Sequence, residues 1–250
     1  MTDLRVRGAG AAGPVLLLLH GLGATGDVWD RWRPLLAERW PGRWIAPDLP
    51  GHGGSAPLPR YSFGSLATAV AELLDPADRI VVLGHSLGGV VGLTLGSGWF
   101  GVPVQAVVGL GIKVSWTQAE LAKAVELAAR PPALLPDRDA AIQRHLRVSG
   151  LAGLLPAGDP GLAAGLRAEG DRWRLALDPA ALGVGAPDMP GLLAAARCQV
   201  VLVRGEQDPM VSADQLEALH PSAVSLAGLG HNAHVEDPDV VLRLVEPFAG

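Results

Sequence analysis

A single cysteine, Cys198, stands in the whole chain. It excludes an intramolecular disulfide and any site built on several cysteines, and its expected role is that of a small buried apolar residue. The seven histidines are scattered, and no His-Glu-x-x-His pattern appears, so no metal is expected. Long runs of one charge are missing as well. The net charge of −5 comes without clusters of Lys and Arg, which argues against a nucleic-acid surface. No apolar segment approaches the length of a membrane span. Arg5 and Arg7 followed by Val15–Leu19 superficially resemble a secretory signal, but the apolar run is too short and leads straight into His20-Gly21-Leu22-Gly23. It reads as a buried strand. A soluble, cytoplasmic protein is the default expectation, without a membrane or nucleic-acid partner. Nothing repeats at a solenoid period.

What is present is a globular composition, 49% apolar and 18% charged, over a length that buries a sizeable core. Short apolar runs recur at Val15–Leu19, Trp44–Ala46, Ile80–Leu83, Val104–Leu110, Val200–Val203 and, more weakly, Ala223–Leu226, with Leu4–Val6 as an added edge strand. Continuous Val, Leu and Ile mark strands covered on both faces, as in a parallel sheet. Helices are expected between them at Trp29–Arg39, Phe63–Leu74, Leu87–Leu95, Ala213–Leu219 and Val240–Phe248. Strand alternating with helix predicts a doubly wound α/β fold. From about Lys113 to Ala196 the alternation stops. That interval offers no convincing strand, only helical pieces broken by prolines, the best being Thr117–Ala129 and Asp137–Val148. It is too long for a plain loop and reads as a helical cap over the sheet's carboxyl edge. The expected organisation is a core in two parts, 1–112 and 197–250, with a cap at 113–196.

The strongest local signal is Gly84-His85-Ser86-Leu87-Gly88-Gly89, after one strand and before a helix. Gly-x-Ser-x-Gly in that context is a nucleophile elbow, because the serine needs a tight strained turn and the glycines let backbones approach. Serine also needs a base held by a third group. The expected order is serine, acid, histidine, and Asp208 and His231 supply it from turns after Val200–Val203 and Ala223–Leu226. Glu206 shares the turn of Asp208 but is expected to brace neighbouring loops, and Asp214 to begin a helix. The alternative acid position, after Val104–Leu110, reads Gly111-Ile112-Lys113 and offers no carboxylate. The backbone N–H groups of Leu22 and Leu87 are the expected oxyanion donors. Among the other histidines, His20 is expected to bond to the oxyanion loop's backbone, His85 to point away from the hydroxyl, His145 and His220 to lie on helical surfaces, and His234 to sit in the site's wall. Trp116 and Trp173 join His234 as candidate pocket residues.

These segments, together with Asp48-Leu49-Pro50-Gly51-His52-Gly53-Gly54-Ser55 and Gly230-His231-Asn232-Ala233-His234-Val235-Glu236-Asp237-Pro238, resemble the α/β-hydrolase superfamily in its capped esterase, lactonase and carbon–carbon hydrolase branch. The resemblance covers Val15 to Gly111 and the stretch from Val200 onward. It implies a mostly parallel sheet of about seven to eight strands with a cap inserted after the sixth strand. Before Val15 there is room for one good strand where the family has two, which favours seven. The resemblance further implies hydrolysis of a carboxylic ester, thioester or lactone through an acyl-enzyme, without a cofactor, on a small-molecule acyl substrate. The alternatives on the same scaffold are a carbon–carbon hydrolase, an acyltransferase, a cofactor-free oxygenase or a non-catalytic small-ligand receptor. Dehalogenation is disfavoured, because that branch carries aspartate where Ser86 stands.

Overall fold

A run such as Val15–Leu19 has no polar face, so it forms a strand only where both faces are covered. In the computed structural model, which describes residues 2–250, all five side chains are fully buried. The strands are β1 (Val6–Ala9), β2 (Val15–Leu19), β3 (Arg43–Pro47), β4 (Ile80–His85), β5 (Val104–Leu110), β6 (Leu166–Glu169), β7 (Arg172–Leu175), β8 (Gln199–Gly205) and β9 (Val224–Leu226). Seven of them form one sheet in the order β1-β3-β2-β4-β5-β8-β9. Only β1 runs antiparallel to its neighbour. Alternation along the strands splits the core in two. Leu16, Leu18, Val81, Leu83 and Val108 face Trp29 and Trp32 on one side. Val15, Leu17, Leu19, Val82 and Val107 face Leu66, Val70 and Val91 on the other.

The helices are α1 (Arg33–Arg39), α2 (Phe63–Ala71), α3 (Leu87–Gly96), α4 (Gln118–Ala128), α5 (Arg138–Val148), α6 (Met189–Ala195), α7 (Ala213–Leu219), α8 (Ala233–Glu236) and α9 (Pro238–Leu242). Two expected helices are broken at proline, which lacks the N–H that a continuing helix needs. The Trp29–Arg39 stretch is a 3-10 segment, Gly26–Trp32, followed by α1, whose first turn holds Pro34. The Val240–Phe248 stretch ends as a helix at Leu242 and resumes as a 3-10 turn around Pro247. Among the described residues, no helix is long and apolar enough to cross a membrane.

Three further expectations need correction. The edge strand lies at Val6–Ala9 and not at Leu4–Val6, because the Arg5 N–H donates to Ser55 Oγ at 3.0 Å and pairing with β3 begins only at Val6. The insertion follows the fifth strand in chain order, not the sixth, since one strand precedes β2 where a pair was allowed for. Nor is that insertion purely helical. β6 and β7 form a hairpin with Glu169 opposite Arg172, turning through Gly170 at φ 62° and Asp171. A glycine at the first central position of a two-residue turn supplies the positive φ that such a hairpin needs.

Arg5 ties the N-terminus to the loop after β3. Its guanidinium meets Asp27 at 2.8 Å and Asp48 at 3.1 Å. The Asp48 carboxylate is wholly buried and also accepts the N–H groups of Gly26 and Gly54, at 2.7 and 2.8 Å. Removing the cation leaves a buried charge without its partner, which costs far more than an exposed ion pair is worth. Arg5→Leu is therefore expected to lower unfolding free energy by about 3 kcal/mol in urea titrations. A loss within about 0.5 kcal/mol would mean that the backbone donors alone hold Asp48.

Candidate functional site

Ser86 follows the last residue of β4 and caps α3 with φ 50° and ψ −114°. It is the only non-glycine residue at positive φ among the described residues. Such a conformation costs of the order of 1–3 kcal/mol and persists only where the surroundings enforce it. Here they do. The Ser86 N–H donates to the Leu110 carbonyl at 2.8 Å, which fixes the elbow to the end of β5. A Cβ on Gly84 would lie 2.3 Å from the Gly88 carbonyl oxygen, and one on Gly88 would lie 2.4 Å from that of Leu19. Only glycine permits this crossing of β2, β4 and α3.

Asp208 and His231 arrive from the ends of β8 and β9 on the same edge. Asp208 is buried, and its two oxygens are both engaged. Oδ1 accepts the Met210 N–H at 2.8 Å, and Oδ2 faces His231 Nδ1 at 2.8 Å. An ionised carboxylate only accepts, so the proton sits on Nδ1 and the lone pair on Nε2. His231 and Ser86 line one cavity of about 530 Å³. Gly111, at φ 62°, allows this approach, since a Cβ there would stand 3.2 Å from His231 Nδ1. Leu22 and Leu87 line the same cavity. Among the described residues neither of their N–H groups donates to a protein acceptor, so both are available to an incoming oxygen.

The rival carboxylates are occupied elsewhere. Glu206 accepts the Gly228 N–H at 2.9 Å and Glu236 that of Gly230 at 2.8 Å. Asp214 lies in the first turn of α7 behind its Ser212 cap.

Of the candidate pocket residues, Trp116 lines the cavity, while Trp173 and His234 do not. Trp173 exchanges backbone hydrogen bonds with Leu135, lies 6.0 Å from the Arg138 guanidinium and packs half-buried against the core. His234 is buried behind the site, its ring 4.3 Å from His85 and 4.6 Å from Trp29. α8 turns that side chain inward, away from the cavity. His145 is also corrected. It is buried, not on a helical surface, and the spacing from Ala141 and Ile142 to His145 and Leu146 marks it on the apolar stripe of α5. His20 donates from Nδ1 to the Gly21 carbonyl and accepts the Leu49 N–H on Nε2, both at 2.8 Å, so it ties the loop after β2 to the loop after β3. His85 Nε2 donates to the His231 carbonyl at 3.0 Å. Burial holds His85 well below the ordinary histidine range, and His20 at about 4.

Sequence reasoning missed much of the wall. Leu121, Ala124 and Val125 of α4 line the cavity at helical spacing, although α4 buries none of its residues. The apolar spacing of Leu121, Ala124 and Val125 was the signal available in the sequence. Lys113, Arg147 and Met210 line the cavity too, and no local pattern marked them.

A family model described as the alpha/beta hydrolase family matches residues 16–244. Among curated proteins, the chain is similar to the magnesium-chelatase 30 kDa subunit of Rhodobacter capsulatus, 38% identical over 131 residues, 50% of this chain and 44% of the relative. It is also similar to a pimeloyl-[acyl-carrier protein] methyl ester esterase of Aeromonas hydrophila subsp. hydrophila, 46% identical over 82 residues, 32% of this chain and 30% of that one. The chain thus spans less than half the length of these relatives in the matched stretches. Among solved structures, that of E-2-(acetamidomethylene)succinate hydrolase superimposes with a TM-score of 0.80 at 25% identity, covering 99% of this chain and 95% of the other.

Proposed function

Since the chain belongs to the alpha/beta hydrolase family, we propose that it is a hydrolase that cleaves a carboxylic ester, thioester or lactone through an acyl-enzyme on Ser86. The observation that carries this reading is the 2.8 Å contact of His231 Nδ1 with Asp208, with His231 and Ser86 on one cavity. His231 Nε2 takes the Ser86 proton as Oγ attacks the acyl carbon. The N–H groups of Leu22 and Leu87 receive the oxyanion, each lowering the barrier by about 3 kcal/mol. Collapse expels the alkoxide or thiolate, which takes the proton from the imidazolium. Water then repeats the sequence on the acyl-serine, and Asp208 stays ionised throughout. Similarity to a protein named for a methyl ester supports ester chemistry among the possible bonds.

The segment 113–196 is proposed as a cap. Its residues Trp116, Leu121 and Val148 are among those that wall the cavity beside Ser86, and its apolar character suits an acyl chain.

A fluorophosphonate probe tests the nucleophile, because only a base-activated serine attacks phosphorus readily. Peptide mass spectrometry is expected to find one adduct, on the peptide carrying Ser86, and none in Ser86→Ala. Labelling elsewhere, or none on folded protein, would overturn the mechanism.

A further inference from the structure

Besides His85 and His231, the residues lining the cavity include three ionisable ones, Lys113, Glu120 and Arg147. Lys113 and Glu120 form an ion pair, and Glu120 also closes the capping box of α4, so those charges cancel. Arg147 is different. Among the described residues, its guanidinium has neither an acidic partner nor a hydrogen-bond acceptor, although it lines the cavity.

The turn that carries Arg147 is anchored to both halves of the site. Val148 packs on the oxyanion loop so closely that a Cβ on Gly23 would lie 2.7 Å from its Cγ1. The carbonyl of Gly150 accepts the side-chain amide of Asn232 at 3.0 Å, one residue after His231. The end of α5 therefore spans from the loop of Leu22 to the loop of His231, and it sets an exposed cation with no acidic partner at the rim of a mostly apolar cavity. A planar guanidinium with its donors free is matched to a carboxylate or phosphate, which it can hold through two parallel hydrogen bonds. The rival role is local: a cation in the last turn of a helix is favoured by the helix dipole. That role would act on stability and not on the choice of substrate.

We propose that Arg147 is a specificity-determining residue that receives an anionic oxyacid group of the substrate. The group is either a carboxylate on the far end of the acyl chain or the phosphate of a thioester's carrier arm. The proposal rests on the acyl-hydrolase reading given above.

Paired substrates test it. One arm uses mono-p-nitrophenyl esters of the dicarboxylic acids from succinic to suberic, each against its neutral twin with the far carboxyl methylated. The other uses acyl-phosphopantetheine against acyl-pantetheine thioesters. In at least one arm the native protein is expected to favour the anion by about tenfold or more in kcat/KM, and the arm that does so names the source. Arg147→Gln is expected to bring that ratio to about one, chiefly through KM, and Arg147→Lys to fall between. A ratio near one for the native protein in both arms overturns the proposal. So does a ratio unchanged in Arg147→Gln, even if its denaturation midpoint falls. Binding of the intact hemiester to Ser86→Ala, measured by calorimetry, separates the two readings. Binding that weakens about tenfold on adding Arg147→Gln supports the anion site whatever attacks the ester. Full turnover in Ser86→Ala would sink the serine mechanism alone.

Discussion

Asp208→Asn is expected to lower kcat by about four orders of magnitude while leaving the fold intact. The size of the effect follows from how the carboxylate is held. Its Oδ1 accepts the Met210 N–H, so the asparagine keeps its carbonyl oxygen there and turns its amide nitrogen toward His231. An amide N–H facing Nδ1 forces the proton onto Nε2, the nitrogen that must take the Ser86 proton. The base is then present in the wrong tautomer. Glu206→Gln is the matched control. Its oxygen accepts a backbone N–H from Gly228, which a glutamine oxygen accepts equally well, so kcat is expected within about threefold of the parent. Steady-state kinetics on a p-nitrophenyl ester, with urea titrations showing both variants within about 1 kcal/mol of the parent, completes the measurement. A large loss at Glu206 with little change at Asp208 would overturn the acid assignment.

The features legible in the sequence are those whose cause is local. Gly84, Gly88 and Gly89 flank Ser86 because backbone crosses backbone there, and a glycine in a turn announces itself. Thr117 and Asp137 mark the starts of α4 and α5 because a side-chain oxygen three residues ahead of an N–H is a local event. The turns holding Asp208 and His231 were found from the strands before them. The harder features depend on what lies far away in the chain. Trp173 looks like a pocket residue by composition, but its neighbour Leu135 decides where it sits. Whether Arg147 is paired depends on which acids come near α5, and no spacing within the sequence carries that. The hairpin β6–β7 had its signal in Gly170-Asp171 between alternating residues, which the prolines around it obscured.

Acid is expected to unfold the protein steeply, with the loss beginning near pH 6.5. His20 and His145 are held at about 4, and His52 and His234 at about 3, with burial the first cause in each case. His85 is lowered by the same burial and by its histidine neighbours His234 and His231. In the unfolded chain all of these return to the ordinary value near 6.5. The sign follows from proton counts. Below pH 6.5 the unfolded state binds protons that the folded state refuses, so stability is full above that pH and is lost as pH falls toward the folded values. Each histidine contributes a slope of about 1.4 kcal/mol per pH unit, and four together about 5 kcal/mol per unit once the unfolded chain is protonated. By pH 5 this amounts to about 8 kcal/mol, enough to unfold a domain in the lower half of the ordinary range of about 5–15 kcal/mol. In two of these rings one nitrogen lacks a partner: His52 Nε2 and His234 Nδ1 are buried without a hydrogen bond. His234→Phe keeps the ring stacked between His85 and Trp29 and removes one titrating site, so the pH slope of the urea midpoint should fall by about one proton. A midpoint flat from pH 7 to pH 5 would show that these histidines are protonated in the folded protein, and the buried-neutral account would then be wrong.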